Sequence, residues 1–259
     1  MSRFGIFIEG KRGNIGRDLA LAAQQENIQL CEQAQDAEFI ALCIPAAAAQ
    51  DRLSSTELRD KIIIDFSGAS KRNKIGQYGL MLSNSEPWDQ DFDPHARVFG
   101  NPGCIASAVL RGMDTSGIRK QCPNEVSIFA VGGSSYAHDI DNQEIRLAKR
   151  LIEHPHVPEI ATALGGLTKI ASFMPAISGG VDRGLLVGIS GSMVSAEMLN
   201  HGQPSICVSE VAQTANLRHR LEINPQPNGY NFSLAVAIDN LRFVTKNAVD
   251  LMKLIVKDG

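Results

Sequence analysis

The first 70 residues alternate between short apolar runs and segments with helical periodicity, and this alternation restricts the fold more than any other feature of the sequence. The apolar runs are predicted strands, and the segments between them are predicted helices. In chain order they are a strand at residues 3 to 10, a helix at 14 to 27, a strand at 37 to 45, a helix at 46 to 60 and a strand at 61 to 68. Such alternation is typical of a parallel sheet that is covered on both faces.

From about residue 123 the pattern changes to strand-like runs with few helices between them. The predicted strands are residues 125–133, 168–177, 184–192, 204–212 and, as one long or two paired strands, 230–244. Residues 142–153 are the clearest helix among them, and residues 245–257 are an amphipathic C-terminal helix.

We therefore predict an α/β protein with two domains. The first is a Rossmann-like parallel-sheet domain at residues 1–101, onto which a C-terminal helix at 239–259 packs. The second, at residues 102–238, is an α/β domain for catalysis and oligomerisation, built around a mixed sheet.

Composition excludes several classes of protein. Of the 259 residues 44% are hydrophobic and 20% are charged, which is typical of a globular protein rather than a disordered one. A net charge of -3 leaves no basic surface for nucleic acid or an anionic membrane. No apolar run approaches the ~18 residues of a membrane span, and the N-terminus lacks a signal-peptide pattern. The five scattered cysteines favour neither a disulfide framework nor a zinc site, so we expect a cytoplasmic protein.

Three glycines, Gly10, Gly13 and Gly16, follow the first predicted strand at a G-x-x-G-x-x-G spacing. Such a turn lets the backbone approach a pyrophosphate, and the next helix directs free N–H groups toward it. The spacing differs from the G-x-G-x-x-G fingerprint, so a tight strand-to-helix turn without a ligand is the alternative. Glu32 is placed to bind a ribose hydroxyl, but no arginine or serine cluster is present for a 2′-phosphate.

Cys104 directly follows the turn Asn101-Pro102-Gly103 and precedes a predicted helix. A thiol at a helix N-terminus has a lowered pKa and becomes a nucleophile suited to acyl transfer. The alternative is an inert core cysteine, which is how we interpret the cysteines at positions 31, 43, 122 and 207. The setting of Cys104 favours the nucleophile.

Residues 153–160 contain two histidines and two carboxylates among prolines, which predicts a rigid loop with titratable groups. A histidine oriented by a carboxylate is a good general acid or base near neutral pH. A metal site of His154, His156 and Glu159 is disfavoured, because two prolines interrupt it and no cysteine accompanies it, and we expect no metal. A polar surface loop is the remaining interpretation.

Taken together, these stretches resemble the N-acetyl-gamma-glutamyl-phosphate reductase family of the semialdehyde dehydrogenase group, and its shorter second type most closely. The matching stretches are FIEGKRGNIG, FIALCIP, IIIDFSGASKR, GNPGCIASA, HPHVPEI, FMPAISGGVDRGLL and AIDNL, in that order. They cover most of the chain, and the Asn-Pro-Gly-Cys and His-x-His-x-Pro-Glu motifs are the most specific.

The resemblance implies reductive dephosphorylation of an acyl phosphate, N-acetyl-gamma-glutamyl phosphate or a related compound of amino-acid biosynthesis such as that of arginine. Cys104 would form a thioester that a hydride reduces to the semialdehyde. His154 would be the acid/base, with Glu159 orienting it and His156 nearby. Arg183 would bind the substrate carboxylate through its planar guanidinium.

The resemblance also implies binding residues and partners. For the cofactor, NADP or NAD, they are Gly10, Gly13, Asn14, Ile15, Gly16, Pro45, Gly132, Gly133, Ser134 and Asn240. For the substrate they are Asn101, Arg183, Ser67, Lys71 and Arg72, with Lys71 or Arg72 on the phosphate. The partners are a small-molecule acyl phosphate and further copies of the chain, as a homodimer or homotetramer through the exposed face of the mixed sheet.

The sequence departs from the family pattern in several places, and these leave alternatives open. The chain is shorter, lacks the basic segment that suits NADP, and has Ile105 where the family prefers an aromatic residue. After Asp239-Asn240-Leu241, Phe243 and Val244 replace a glycine-rich turn, which predicts a more crowded nicotinamide pocket. The alternatives are a non-catalytic binding or regulatory protein, and thioester chemistry at Cys104 without a cofactor.

Overall fold

The computed structural model describes residues 4–136, 140–148 and 150–258. The chain divides into two compact units, one comprising residues 1–103 with 244–259 and the other residues 104–243. The helices are α1 (Asn14–Gln25), α2 (Ala46–Ser54), α3 (Ala69–Asn73), α4 (Cys104–Thr115), α5 (His156–Ala163) and α6 (Arg242–Asp258). The last helix begins in the second unit and continues into the first.

The first unit is built on a parallel sheet of six strands in the order β2-β1-β3-β4-β6-β5. The strands are β1 (Gly5–Glu9), β2 (Gln29–Leu30), β3 (Phe39–Leu42), β4 (Ile62–Asp65), β5 (Gln77–Tyr78) and β6 (Val98–Gly100). All pairings within this sheet are parallel. The central strand β3 is buried along its whole length, as expected for a sheet that is covered on both faces.

Helices cover both faces of this sheet. On one face α1 and α6 share an apolar cluster, to which Leu19 and Ala23 contribute from α1 and Ala248, Met252 and Ile255 from α6. The α6 residues recur at helical spacing, so that one stripe of the helix faces the core. A second cluster contains residues of α2 and α3 on the other face.

The second unit is built on a mixed sheet in the order β11-β12-β10-β7-β9-β8. The strands are β7 (Glu125–Gly133), β8 (Ile145–Leu147), β9 (Lys169–Ser178), β10 (Leu185–Met193), β11 (Leu217–Gln226) and β12 (Gly229–Ile238). Only β7 and β9 pair in parallel among them. Helix α4 packs on β10, β11 and β12, and α5 packs on β9 and α4. The predicted α/β class, with one parallel and one mixed sheet, is confirmed.

Four sequence-based predictions of local structure were wrong or incomplete. Residues 142–153 do not form a helix: they contain the edge strand β8, whose pairing with β9 outweighs the helical pattern, and Lys149 lies outside the described residues. The predicted strand at 204–212 is a short 3-10 turn at Val208–Glu210. The predicted rigid loop at 153–160 becomes helix from His156 onward. The short strands β2, β5 and β6 and the long strand β11 were not predicted.

In the described part of the chain, no helix is both long enough and apolar enough to cross a membrane.

Candidate active site

The glycine turn lies between β1 and α1, and two of its glycines are required by close packing. Gly10 has a φ of +91°, and a Cβ there would lie 2.2 Å from the carbonyl oxygen of Cys43. A Cβ on Gly16 would lie 2.3 Å from the carbonyl oxygen of Gly10. Gly13 differs: its φ is -74°, and the nearest atom to an added Cβ is 3.4 Å away. The fold itself therefore does not require glycine at position 13.

The turn occupies the point where the strand order of the first sheet reverses, between β1 and β3. At this point the backbone N–H of Cys43 donates to the carbonyl of Glu9 at 2.9 Å, and Pro45 follows as the residue that precedes α2. In open α/β sheets, ligands bind outside the carboxyl ends of the strands at such a reversal. Asn14 and Ile15 open α1, which has no side-chain cap at its N-terminus and no acidic residue in its first turn. The residues present fit a dinucleotide pyrophosphate.

The end of β2 carries the side chain expected near an adenosine ribose. Glu32 follows this strand, and its Oε1 lies 3.5 Å from Nζ of Lys11 in the glycine turn. Both side chains are largely exposed. The glycine turn carries Lys11 and Arg12, and Arg17 follows in α1, so this region is more basic than the region after β2.

Cys104 is the first residue of α4 and is half-buried. The preceding turn belongs to the first unit, and α4 is almost fully buried in the second. Burial raises the pKa of Cys43 and of Cys31, which agrees with their interpretation as inert thiols. Cys207 differs, because hydrogen bonds from Ser209 lower the pKa of this exposed thiol.

His154 lies directly before α5 and is held by a backbone contact. The N–H of His156 donates to Nδ1 of His154 at 3.3 Å, so the neutral imidazole carries its proton on Nε2. The ring contacts the rings of His156 and Phe173, whose centroids are 4.9 and 5.3 Å away. Burial, and secondarily the charge of Arg150, lowers the pKa of His154. Glu159 lies in the first turn of α5.

Arg183 binds a fully buried carboxylate. Its Nε lies 2.8 Å from Oδ1 and 2.7 Å from Oδ2 of Asp239. Asp239 also accepts hydrogen bonds from the backbone N–H groups of Leu241 and Arg242, at 3.0 and 2.9 Å, where α6 begins, and from that of Gln213 at 2.6 Å. A carboxylate is favoured near a helix N-terminus. The backbone N–H groups therefore stabilise the charge of Asp239, and this carboxylate in turn holds the guanidinium of Arg183.

The neighbouring Asn240 joins three segments of the second unit. Its Oδ1 accepts from the N–H of Gly184 at 2.9 Å, and its Nδ2 donates to Oγ of Ser135 at 3.1 Å. Gly132 and Gly133 end β7. Gly133 is tightly packed, because a Cβ there would lie 2.6 Å from the carbonyl oxygen of Val181. The structure thereby brings together Gly133, Ser134, Arg183 and Asn240.

The segment after β4 is organised by Asp65, which has no exposed surface. One carboxylate oxygen accepts from the N–H and hydroxyl of Ser67 at 2.8 and 2.5 Å, and the other from those of Ser70 at 2.8 and 2.7 Å. These bonds fix the start of α3. Lys71, the third residue of α3, donates from Nζ to the carbonyl of Asn101 at 2.7 Å. The following residue, Arg72, is exposed.

Phe243 and Val244, which replace the glycine-rich turn at the start of α6, are both buried. Phe243 belongs to the second unit and Val244 to the first. In the second unit Phe243 lies under the guanidinium of Arg111, whose Cζ is 4.5 Å from the ring centroid. In the first unit the carbonyl of Val244 accepts from Nδ2 of Asn101 at 3.2 Å.

Sequence reasoning did not single out Asp65 or Asp239, whose carboxylates hold the neighbouring side chains in place. For the two aspartates a local pattern exists, since Asp65 ends β4 and Asp239 directly follows β12, each shortly before a helix, where acidic residues are favoured. Among the described residues, no group of three His, Cys, Asp or Glu side chains is arranged to hold a metal ion.

No protein-family model matches the sequence. Several curated proteins do, and the matches extend over most of the chain. The protein named N-acetyl-gamma-glutamyl-phosphate reductase from Burkholderia lata is 27% identical, covering 89% of this chain and 84% of the relative. The protein of the same name from Burkholderia ambifaria is 25% identical, covering 87% and 83%. A third, from Clostridium kluyveri, is 24% identical over 51% of this chain and 45% of its own.

Solved structures match over nearly the whole chain. A probable aspartate-semialdehyde dehydrogenase from Pseudomonas aeruginosa has a TM-score of 0.77 at 12% identity, covering 99% of each chain. Aspartate semialdehyde dehydrogenase II from Vibrio cholerae has a TM-score of 0.74 at 13% identity, again covering 99% of each. The fold is therefore the two-domain α/β fold of the semialdehyde dehydrogenases, and the curated relatives confirm that the chain resembles the N-acetyl-gamma-glutamyl-phosphate reductase family.

Proposed function

We propose that this protein is an oxidoreductase that converts an acyl phosphate into a semialdehyde through a thioester on Cys104. The single observation that carries the proposal is the position of Cys104 as the first residue of α4, directly after the Asn101-Pro102-Gly103 turn. The α4 N-terminus stabilises a thiolate there. The relatives suggest N-acetyl-gamma-glutamyl phosphate as the substrate, within amino-acid biosynthesis.

In the first step the Cys104 thiolate attacks the acyl carbon. A carbon–sulfur bond forms, the bond from that carbon to the phosphate oxygen breaks, and inorganic phosphate leaves with the electron pair. A nicotinamide cofactor, when bound, supplies the hydride that reduces the thioester. The carbon–sulfur bond then breaks, the aldehyde is released and the thiolate is restored.

His154 is the proposed acid/base. Its Nε2 carries the proton of the neutral ring, because Nδ1 accepts from the backbone N–H of His156. In the neutral ring Nε2–H is a hydrogen-bond donor for the acyl oxygen as negative charge develops on it. Transfer of a proton to that oxygen requires the imidazolium form, which gives up one proton and regains one within the cycle. His156 holds the ring in place by its N–H and by stacking, and we assign Glu159 to electrostatic support from the first turn of α5.

Arg183 is the proposed ligand of the substrate's carboxylate. Because Asp239 binds its Nε, the remaining edge of the planar guanidinium has a defined direction. For the phosphate we propose Lys71 with Ser67, rather than Arg72. Lys71 contacts the carbonyl of Asn101, three residues before the nucleophile, whereas Arg72 extends into solvent.

The proposed cofactor is a nicotinamide dinucleotide, NADP or NAD. Gly10, Gly13 and Gly16, with Asn14 and Ile15, would bind its pyrophosphate. In the second unit the proposed residues are Gly132, Gly133, Ser134 and Asn240. Glu32 would bind a ribose 2′-hydroxyl, and Lys11 with Arg12 would bind a 2′-phosphate, so these three side chains decide between the two cofactors.

Two alternatives considered from the sequence were a non-catalytic protein and thioester chemistry without a cofactor. The curated relatives are named as reductases and the structural neighbours as dehydrogenases, and neither name favours an alternative. All five cysteines are free thiols, which fits our proposal of a cytoplasmic enzyme.

The test is the reverse reaction. The protein is mixed with N-acetylglutamate semialdehyde, inorganic phosphate and either NAD or NADP, and the absorbance of the reduced nicotinamide is followed. We expect phosphate-dependent reduction that Cys104→Ala abolishes. Cys207→Ala is the matched control, because it removes an exposed thiol that is not among the proposed site residues, and it should retain the rate.

Either of two results would overturn this proposal. One is reduction that persists in Cys104→Ala. The other is no reduction with either cofactor by a protein that is folded and binds reduced nicotinamide in a calorimetric titration. The same titration with NADH and NADPH assigns the cofactor.

We also propose that two copies of the chain associate through the open face of the mixed sheet. This face is opposite α4 and carries exposed Phe129, Met174 and Leu186. Phe129 and Met174 line a concave patch of about 480 Å³ together with several small side chains and with the charged Arg220 and Glu222. Exposed apolar side chains among small residues are suited to close contact with an identical face across a two-fold axis.

The oligomer is tested by light scattering after size-exclusion chromatography. Leu186→Glu should convert the dimer or tetramer to smaller species. Leu167→Glu, which changes an even more exposed leucine in the turn before β9, should leave the mass unchanged. A monomer for the unmodified protein would contradict this arrangement.

A further inference from the structure

Two asparagines form a buried amide pair beside the turn that precedes Cys104. Nδ2 of Asn247, on α6, donates to Oδ1 of Asn101 at 2.9 Å and to the carbonyl of Gly79 at 2.7 Å. Its Oδ1 accepts from the N–H of Met81 at 2.8 Å. Since backbone groups contact both ends of the amide, its orientation is determined: a flipped amide would face a donor with a donor and an acceptor with an acceptor.

Asn101 is held by its side chain and by its backbone. Its Nδ2 donates to the carbonyl of Val244, also on α6. Its N–H donates to the carbonyl of Asp65 at 2.9 Å, and its own carbonyl accepts from Lys71. Both asparagine side chains are about 1% exposed. The carboxamide of Asn101 is therefore directed into the first unit.

These contacts hold Asn101, which lies three residues before Cys104, the first residue of α4. Only Pro102 and Gly103 separate Asn101 from Cys104, and the proline restricts the backbone further. A thiol at a helix N-terminus is stabilised as thiolate only when its sulfur lies close to the first N–H groups. A change in the direction of the turn would therefore change the thiolate fraction.

We propose that Asn247 is a positioning residue for Cys104: through Asn101 it holds the Asn-Pro-Gly turn and thereby sets the reactivity of the thiol. The proposal rests on the proposed role of Cys104 as nucleophile. The first turns of α6, which lack glycine, then position Asn101 through the Val244 carbonyl and the Asn247 amide. Asn101 is accordingly assigned to positioning rather than to direct binding of substrate through its side chain.

The test is alkylation of Cys104 by iodoacetamide as a function of pH, with each cysteine peptide quantified by mass spectrometry. This reaction requires neither cofactor nor substrate. Cys207 serves as an internal reference, because it is exposed and its thiol contacts Ser209 rather than Asn101 or Asn247. The variants are Asn247→Leu, of similar size without hydrogen bonds, and Asn247→Ser, a smaller change for the case that the leucine variant fails to fold.

We expect the alkylation rate of Cys104 at neutral pH to fall about tenfold in either variant, equivalent to a rise of about one unit in the pKa of the thiol. The rate at Cys207 should not change. Asn101→Leu should have the same effect, and combining it with Asn247→Leu should add little, because both belong to one network.

The matched control is Thr245→Val on the same helix. The hydroxyl of Thr245 donates to the buried carboxylate of Asp18 at 2.7 Å, so this variant removes a buried hydrogen bond that does not involve Asn101. It should lower the melting temperature and leave the Cys104 profile unchanged.

An unchanged Cys104 profile in a folded Asn247 variant would overturn the proposal, as would an equal shift in Thr245→Val. Failure of the reductase assay with a shifted alkylation profile would instead contradict the proposed reaction and leave the positioning role supported. The two conclusions are thereby distinguished.

Discussion

Arg183 and Asp239 form an ion pair in which the carboxylate has no exposed surface and the guanidinium side chain is 24% exposed. The carboxylate is satisfied by three backbone N–H groups in addition to Nε of Arg183. The pair therefore gives the arginine a fixed direction at the start of β10. A substrate carboxylate would find its ligand already oriented, which reduces the entropy lost on binding.

Replacing Asp239 with Asn should weaken substrate binding and stability together. The variant keeps the size of the side chain but leaves a partly buried guanidinium without its counter-charge. We expect the free energy of unfolding to fall by about 3 kcal/mol, measured by urea denaturation. We also expect KM for the semialdehyde to rise about tenfold or more. Arg183→Lys should raise KM in the same way with a smaller loss of stability, and an unchanged KM in both variants would contradict the assignment of Arg183.

Gly13→Ala should weaken binding of the dinucleotide without lowering the stability of the fold. Its φ suits alanine, and the added Cβ has room in the protein, so the melting temperature should stay within a few degrees of the original. A bound pyrophosphate would approach this backbone closely, so we expect the Kd for reduced nicotinamide dinucleotide, measured by fluorescence titration, to rise about tenfold or more.

Gly10→Ala is the comparison for this prediction. Its Cβ would lie 2.2 Å from a backbone oxygen, so it should lose stability as well as affinity. Unchanged binding by Gly13→Ala would indicate that the dinucleotide does not lie on this turn.

The stability of the protein should depend on pH through His154. Burial, followed by the charge of Arg150, lowers the pKa of this residue in the folded state. Its contribution is therefore complete above the unfolded pKa of about 6.5 and is lost as the pH falls below that value toward the folded pKa, because the unfolded chain then binds the extra proton. Urea denaturation between pH 5 and 8 measures this dependence.

His154→Asn is the control, because the amide oxygen is able to replace Nδ1 as acceptor for the His156 N–H. The variant should show a flatter decline of stability below about pH 6.5. Equal slopes for the two proteins would exclude His154 as the source. The variant should also lose most of the reductase activity, since it has no group that titrates in this range.

Lys71 and Arg72 are adjacent cations, and only Lys71 should contribute to the binding of phosphate. Lys71→Met keeps most of the aliphatic chain that packs near Gly100 and removes the charge. We expect KM for phosphate in the reverse reaction to rise about tenfold, with KM for the semialdehyde changed little. Arg72→Met should alter neither value by more than about twofold. Equal effects of the two substitutions would indicate a general contribution of charge rather than a phosphate contact.

The local sequence determined the elements whose apolar spacing is unambiguous. The first strand, α1, β3, α2 and β4 occur where alternation predicted them, because a buried strand and an amphipathic helix each have their own period. The position of Cys104 at the start of a helix was also predicted from the local sequence, because a turn directly precedes it and helix-forming residues follow it. Residues 142–153 were wrongly predicted to form a helix. They contain the edge strand β8, which forms because it pairs with β9, and the local sequence does not show this pairing.

Only the tertiary structure decided which polar groups meet. Arg183 and Asp239 are 56 residues apart, and Asn101 and Asn247 are 146 residues apart. Periodicity determines which face of α6 is buried, but not that an amide on this face completes the hydrogen bonds of a turn elsewhere in the chain. Such a pairing follows from how the helix docks, and burial then makes it obligatory, because an unpaired polar group in the core is costly.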